Sequence, residues 1–297
     1  MHGKRLSQIV HGFLAKWLLL PLLAALVCGF IVWSYLNINN LEQDQKFYTR
    51  TVGNHVQDYL RNCNWYLQHF THYFQEPAPT LANKDFLGAS SPFQAIYVLD
   101  MQGQTLQTLP GKAFKCNFSG IITNYSPGKS FNLTVPYFSR FSNEIVVGMI
   151  KSMPGDRLLL AELNLAKLQD SVLHFTRHMQ KGMVYLTDAY GNLLAHPDMK
   201  LVNQQVNKAD LQAIEEAQKN KVRSNYYRLD GDWKLMSSSK LLDSHWIIVV
   251  QQDLFPLFAP ALLLAVSFLA ALLAFLGLVT FIFDRKLQVQ VVTPLAA

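Results

Sequence analysis

Charge is scarce in this chain, and what there is of it excludes several functions at once. Only 15% of the 297 residues are Asp, Glu, Lys or Arg. The formal net charge of +6 is spread along the sequence, with no basic stripe of the kind that follows a nucleic-acid backbone. Nucleic acid is therefore not an expected partner. Cysteine is equally sparse. Cys28, Cys63 and Cys116 are the three, and no Cys-x-x-Cys redox pair occurs. The signatures of common catalysts are missing too: no G-x-x-x-x-G-K-[ST] phosphate loop, no G-x-S-x-G elbow, no H-E-x-x-H. Spacing alone sets no carboxylate pair. Neither catalysis by this chain nor a bound cofactor is expected.

Two stretches carry no charge at all, Trp17–Leu36 and Leu254–Phe283. Each reaches the roughly 20 residues that cross a bilayer as a helix. Lys4, Arg5 and Lys16 precede the first, and Arg285 and Lys286 follow the second. The positive-inside rule then makes both ends cytoplasmic. The chain divides into a cytoplasmic N-terminus (1–16), a first span (17–36), an external region (37–253), a second span (254–283) and a cytoplasmic tail (284–297). The external region would lie in the periplasm or outside the cell. The first apolar run exceeds the about 7–15 residues of a signal-peptide core, and no A-x-A-like site follows it, so an uncleaved anchor is expected. Bulky Val27 before Cys28 argues against a lipid anchor there.

Outside the membrane a disulfide would persist, which makes Cys63–Cys116 a possible pair, although spacing does not settle it. Sequons begin at Asn117, Asn124 and Asn132, in a loop rich enough in Asn and Ser to produce them by chance.

From Ile38 to Phe74 apolar residues recur at steps of three and four: Leu41, Tyr48, Val52, Val56, Tyr59, Cys63, Leu67, Phe70 and Phe74. This is one face of a long helix, spanning 37–75, that continues the first membrane segment outward. Glu76-Pro-Ala-Pro79 ends it. Beyond it one phrase is written twice. Ile96-Tyr-Val-Leu-Asp-Met-Gln-Gly-Gln-Thr-Leu106 matches Val184-Tyr-Leu-Thr-Asp-Ala-Tyr-Gly-Asn-Leu-Leu194 at Tyr97/Tyr185, Asp100/Asp188, Gly103/Gly191 and Leu106/Leu194. The copies lie about 90 residues apart, a spacing for two small tandem domains rather than a solenoid. Each reads as strand, tight Asp/Gly turn, strand.

In the first unit (76–180), strands are predicted at Ala95–Leu99, Phe131–Phe138, Glu144–Lys151 and Arg157–Leu163, with a closing helix at Leu165–Met179. In the second (181–253), strands are predicted at Val184–Thr187, Leu193–Ala195, Val222–Leu229, Trp233–Lys240 and His245–Gln251, with a polar helix at Asp210–Asn220. Asp230-Gly231 marks a hairpin. The expected fold class is α+β: a long N-terminal helix and two PAS-like antiparallel-sheet units between two transmembrane helices.

A long helix leaving the membrane, two PAS-like units and a return span resemble the double Cache family of extracytoplasmic sensors. The second unit carries the closest match, Tyr185-Leu-Thr-Asp-Ala-Tyr-Gly-Asn-Leu-Leu-Ala-His-Pro-Asp198 and then Ser244-His-Trp-Ile-Ile-Val-Val250. Asp284-Arg-Lys-Leu with Val292-Thr-Pro-Leu295 is similar to the start of a HAMP linker. The resemblance implies the small-molecule input module of a transmembrane receptor, of histidine kinase, chemoreceptor or diguanylate cyclase type. It implies ligand binding in the membrane-distal first unit, and a homodimer through the long helix and the spans. One subgroup reads amino acids with an Arg-x-Trp-Tyr stretch and an Asp on the distal unit's last strand. This chain has Asn124-Tyr-Ser-Pro-Gly-Lys-Ser130 and Asn164 there. The alternative reading is a stand-alone membrane-anchored binding or dimerisation protein without output.

A pocket in a PAS-like unit lies between the sheet and its cover, with a few polar groups among apolar walls. In the distal unit the candidates are Tyr97, Tyr125, Lys129, Tyr137, Arg140 and Lys151. Strand alternation would put Phe131, Leu133, Val135 and Tyr137 on one face. Lys129 and Arg140 suit an anion, or simply solvated loops. Asp188 and His196 read as turn chemistry, and Trp233 and Trp246 as core or interface aromatics. His69/His72 and His174/His178 have helical spacing for a shared metal, but no third ligand is fixed, and no metal is expected. With two cores and their own turns, residues 39–252 without either span should fold as a soluble, cooperatively melting protein. A molten product on calorimetry would contradict the two-unit reading.

Overall fold

The computed structural model describes residues 20–73, 91–109, 115–179, 182–219, 224–229 and 231–287. The N-terminal basic residues, the proline stop at 76–79, Asp230 of the hairpin turn and the linker-like 288–297 lie outside these described residues.

The first membrane segment and the long external helix form one helix, α1 (Leu20–Tyr73). No proline interrupts residues 22–76, so nothing forces a break at the expected boundary near residue 36. The second membrane segment is α5 (Phe255–Leu287). Both are long and apolar enough to cross a membrane. Trp33 of α1 meets Phe258 of α5 edge to face, with ring centroids 6.0 Å apart.

The external region builds two antiparallel sheets. The first comprises β1 (Phe93–Asp100), β2 (Thr105–Leu109), β3 (Asn132–Leu133), β4 (Tyr137–Phe138), β5 (Ile145–Met153) and β6 (Arg157–Leu163). Its order is β2-β1-β6-β5-β3, with β4 also pairing β5. Helix α2 (Leu165–His178) follows, with the Asn164 side chain capping its start through Ala166 N. The second sheet comprises β7 (Gly182–Thr187), β8 (Leu193–Ala195), β9 (Ser224–Leu229), β10 (Asp232–Lys240) and β11 (Ile247–Asp253). Its order, β8-β7-β11-β10-β9, repeats the first. Two short helices, α3 (Met199–Asn203) and α4 (Gln212–Gln218), are inserted between β8 and β9.

One apolar face of α1 organises this region. Val52, Val56, Leu60, Cys63, Leu67 and Phe70 are buried and join a single core. That core takes Ile96, Val98, Met149 and Leu159 from the first sheet, and Val184, Leu186, Ile248 and Val250 from the second. Full burial of such side chains stabilises by about 1.5–3 kcal/mol each. Polar contacts also fix the helix in place. Gln45 Nε2 donates to Leu235 O at 2.9 Å, and Tyr59 Oη donates to Asn164 O at 3.1 Å. The opposite face of each sheet carries its own smaller cluster.

Two expectations change. The predicted strand Phe131–Phe138 is two short strands separated by residues 134–136. Pro136 has no N–H to give the ladder, and the Thr134 hydroxyl instead accepts from Gly148 N at 2.8 Å. The break shifts the alternation: Leu133 packs on the α1 side, Tyr137 on the other. The possible Cys63–Cys116 disulfide is not formed, and both thiols are free. Cys63 lies in the α1 core and Cys116 against the cluster on the other face, so the sheet stands between them. Burial pushes the Cys63 thiol up to about 12.

The duplicated turn is built identically twice. Asp100 Oδ1 accepts from Gln102 N and Gln104 N, and Asp188 Oδ1 accepts from Tyr190 N and Asn192 N. Gly103 has φ +82° and Gly191 φ +87°. A Cβ would lie 2.6 Å from Ser119 N at the first and 2.5 Å from Ala209 N at the second. Gly103→Val and Gly191→Val should therefore each cost at least roughly 1–3 kcal/mol. Denaturant midpoints unchanged by both would show that the turns tolerate a side chain.

Candidate functional site

The face of the first sheet turned away from α1 is floored by Ala95, Tyr97, Leu99, Leu158, Leu160 and Ile150. Phe118, Cys116, Ile122 and Tyr125 cover it, and Tyr137 of β4 closes one side. The Tyr97 and Phe118 rings sit 4.8 Å apart. This cover hangs on the duplicated turn: Phe118 N donates to Gly103 O at 2.8 Å, and Ile121 N and Ile122 N return to Phe118 O.

A carboxylate is buried in this apolar setting. Glu162, 0% exposed, lies two residues along β6 from Leu160 and opposite Ala95. Tyr137 Oη donates to Glu162 Oε1 at 3.2 Å, and Ser139 Oγ to Oε2 at 2.6 Å. The β4–β5 turn aims Ser139, because its Oγ also accepts from Phe141 N and Ser142 N. The Tyr97 hydroxyl reaches the same carboxylate. Burial holds Glu162 above the usual carboxylate range, and the Ser139, Tyr137 and Tyr97 hydroxyls offset part of that rise. Burial, reinforced by the Glu162 charge, raises the Tyr137 and Tyr97 phenols. No Lys or Arg of the described residues forms an ion pair with Glu162. Directly across the ladder from Tyr97 stands Thr108, whose buried Oγ1 has no partner. The face thus offers a desolvated acceptor and an unused hydroxyl, a few polar groups on apolar walls.

Three of the sequence candidates converge here: Tyr97, Tyr137 and, in the cover, Tyr125. Lys129 and Arg140 are exposed loop residues. Lys151 lies on the opposite face, where its Nζ donates to Asn64 Oδ1 of α1 at 3.2 Å and burial lowers its pKa. Sequence reasoning missed Glu162, Ser139 and Thr108. Glu162 did leave a signal, as the lone charge inside the apolar run Leu158-Leu-Leu-Ala-Glu-Leu163.

In the second unit Asp188 is consumed by its turn, with Asn192 Nδ2 adding a third bond to it. The His196 backbone is clamped by Gln169 of α2: His196 N donates to Gln169 Oε1 at 3.0 Å, and Gln169 Nε2 donates to His196 O. His196 Nδ1 accepts from Asp198 N at 2.9 Å, and burial lowers its pKa. Trp246 is core and Trp233 is exposed. His69 stacks on Trp65, and His178 Nδ1 bonds His174 O. The side chain of His72 is outside the description. Among the described residues no group of three His, Cys, Asp or Glu could hold a metal. An open cleft of about 380 Å³ lies between Val135 and Pro136 of the first unit and Tyr190, Asn192, Leu193 and Gln205 of the second.

No curated protein sequence matches the chain. Solved structures do. The extracellular domain of the putative histidine kinase rpHK1S-Z16 is 14% identical with a TM-score of 0.62, covering 75% of this chain and 98% of that one. The ligand-binding domain of the Pseudomonas fluorescens chemoreceptor CtaA, in complex with L-serine, is 18% identical with a TM-score of 0.54, covering 73% and 98%. That of the Pseudomonas aeruginosa PAO1 amino acid chemoreceptor PctB, in complex with L-Arg, is 19% identical with a TM-score of 0.52, covering 74% and 98%. These likenesses share the fold of two sheets behind one long helix. The family model described as Cache domain matches residues 36–261, most of the chain, and the chain therefore belongs to the Cache family in its double form.

Proposed function

We propose that this chain is the input module of a transmembrane receptor and that its distal unit binds a small molecule carrying an ammonium group. The observation that carries this reading is Glu162. A carboxylate buried without a cation is costly, and a ligand ammonium would supply the missing charge. Tyr137, Ser139 and Tyr97 would hold the carboxylate in place, and Phe118 and Tyr125 would shield the pair from water. The ligands named with the two chemoreceptor structures, L-serine and L-Arg, both carry an ammonium group. Lys129 and Arg140 stay at the surface, so a matching clamp for a ligand carboxylate is not built from them. We therefore rank simple amines above amino acids. The basic flanks support a cytoplasmic position for both termini, with the sensor outside the cell. Exposed Phe47 and Trp65 on α1 support a homodimer through that helix. Binding would shift the packing of β6 and β5 against α1, and so bias that helix. We assign the chain no catalytic step.

The full chain in nanodiscs, screened by thermal shift, tests this. Amines should raise the melting temperature saturably, and dicarboxylates should not. A charge-assisted contact contributes about 1.5–3 kcal/mol, so Glu162→Gln should weaken the best amine by roughly 10- to 100-fold while the protein stays folded. A dicarboxylate or neutral sugar as best ligand, indifferent to Glu162→Gln, would overturn the proposal.

The shift of Glu162 makes a second, independent prediction. Its folded-state pKa is raised, so the native state holds the proton more tightly than the unfolded chain. The associated stability is complete below the unfolded pKa and is lost as pH rises through the folded value. Unliganded protein should therefore lose stability across that window, and Glu162→Gln should flatten the profile. Amine affinity should run the other way, rising with pH as the carboxylate ionises. Parallel stability profiles for the two proteins would contradict the assignment.

A further inference from the structure

The second sheet repeats the geometry of the distal site with a different chemistry. Tyr97 stands opposite Leu160 of β6, and Tyr185 stands opposite Val249 of β11. Two residues further along each strand lie Glu162 and Gln251, both buried. An amide thus occupies the place of the carboxylate.

Two hydroxyls on this face have no partner. Tyr185 Oη and Thr187 Oγ1 are buried and form no hydrogen bond. Tyr185 is 2% exposed and Thr187 0%. Both point to the same side, because Tyr185 opposes Val249 and Thr187 opposes Ile247, and these two pack with Val202 and Ile214 beneath α3 and α4. The neighbouring Ser238 hydroxyl is already used, donating to Ala213 O at 2.7 Å. Unpaired buried hydroxyls are unusual and call for a missing partner.

We infer that the second unit holds its own ligand site, between the sheet and helices α3 and α4, for a small uncharged amide. The ligand carbonyl would accept from Tyr185 and Thr187, and Gln251 would pair with its amide edge. A charged ligand is disfavoured because burial alone raises the Tyr185 phenol, with no charged side chain acting on it. The His196 ring lies 5.7 Å from that of Tyr185, and burial lowers its pKa. Lys240 stands only at the edge of the face, opposite Ile247.

Acetamide, with its isostere acetate and with methylammonium, tests the inference on the full chain in nanodiscs. A Glu162→Leu background removes the distal carboxylate without putting an amide in its place, so success or failure here is independent of the amine proposal. Acetamide should raise the melting temperature to a plateau in that background, and acetate and methylammonium should not. Tyr185→Phe and Thr187→Val delete only unpartnered hydroxyls, so both variants should fold, and each should weaken acetamide at least ten-fold. A shift that grows linearly with concentration, is matched by acetate, or survives both substitutions would mean that the hydroxyls hold ordered water only, and would overturn the site.

Discussion

The structure outside the membrane depends on one constraint: a single helix must bury one continuous apolar stripe against two different sheets. The residues from Val52 to Phe70 are spaced for this, and each sheet presents a matching apolar face. Neither sheet has a complete core without the helix. The duplication of the unit follows naturally. Two copies of one strand order, laid along one helix, expose two equivalent outer faces on which different chemistry can be built. A rearrangement inside either unit must be accommodated by the same helix, which runs on in sequence into an apolar segment able to cross a membrane.

The outer faces then diverge. In the first, a buried carboxylate is ringed by hydroxyls; in the second, the buried hydroxyls of Tyr185 and Thr187 have no partner. The difference has energetic weight, because an ion withdrawn from water demands a counter-charge whereas a hydroxyl demands only a hydrogen-bond partner. The Gln169 clamp on His196 ties the helix that closes the first unit to the end of β8 in the second. The two faces are thus joined mechanically as well as through α1.

Much of this was legible in the sequence. The stripe from Leu41 to Phe70 foretold the helix, and the repeated Asp-x-x-Gly phrase foretold two units. That phrase worked because an Asx-type turn with a glycine at positive φ is specified locally. The merged strand at Phe131–Phe138 failed because Pro136 breaks the ladder, and period-two reasoning then put Tyr137 on one face with Leu133, whereas the two pack on opposite faces. Lys151 was drawn into the candidate site because alternation was not carried through from its neighbour Ile150. Glu162 was overlooked because its importance lies in burial, which depends on the cover formed by Phe118 and Tyr137, far away in sequence. The helix at Asp210–Asn220 was legible and is α4, whereas α3 is too short to show a period, and only the sheet beneath it gives Val202 an apolar face to bury.

The most direct measurement is a crystal structure of the external region grown with the tightest amine from the screen. The account predicts ligand density against Tyr97 and Phe118, with its nitrogen within hydrogen-bond distance of the Glu162 carboxylate. Density only in the cleft beside Tyr190, or a Glu162 that stays paired solely with Tyr137 and Ser139 while the ligand lies elsewhere, would contradict it.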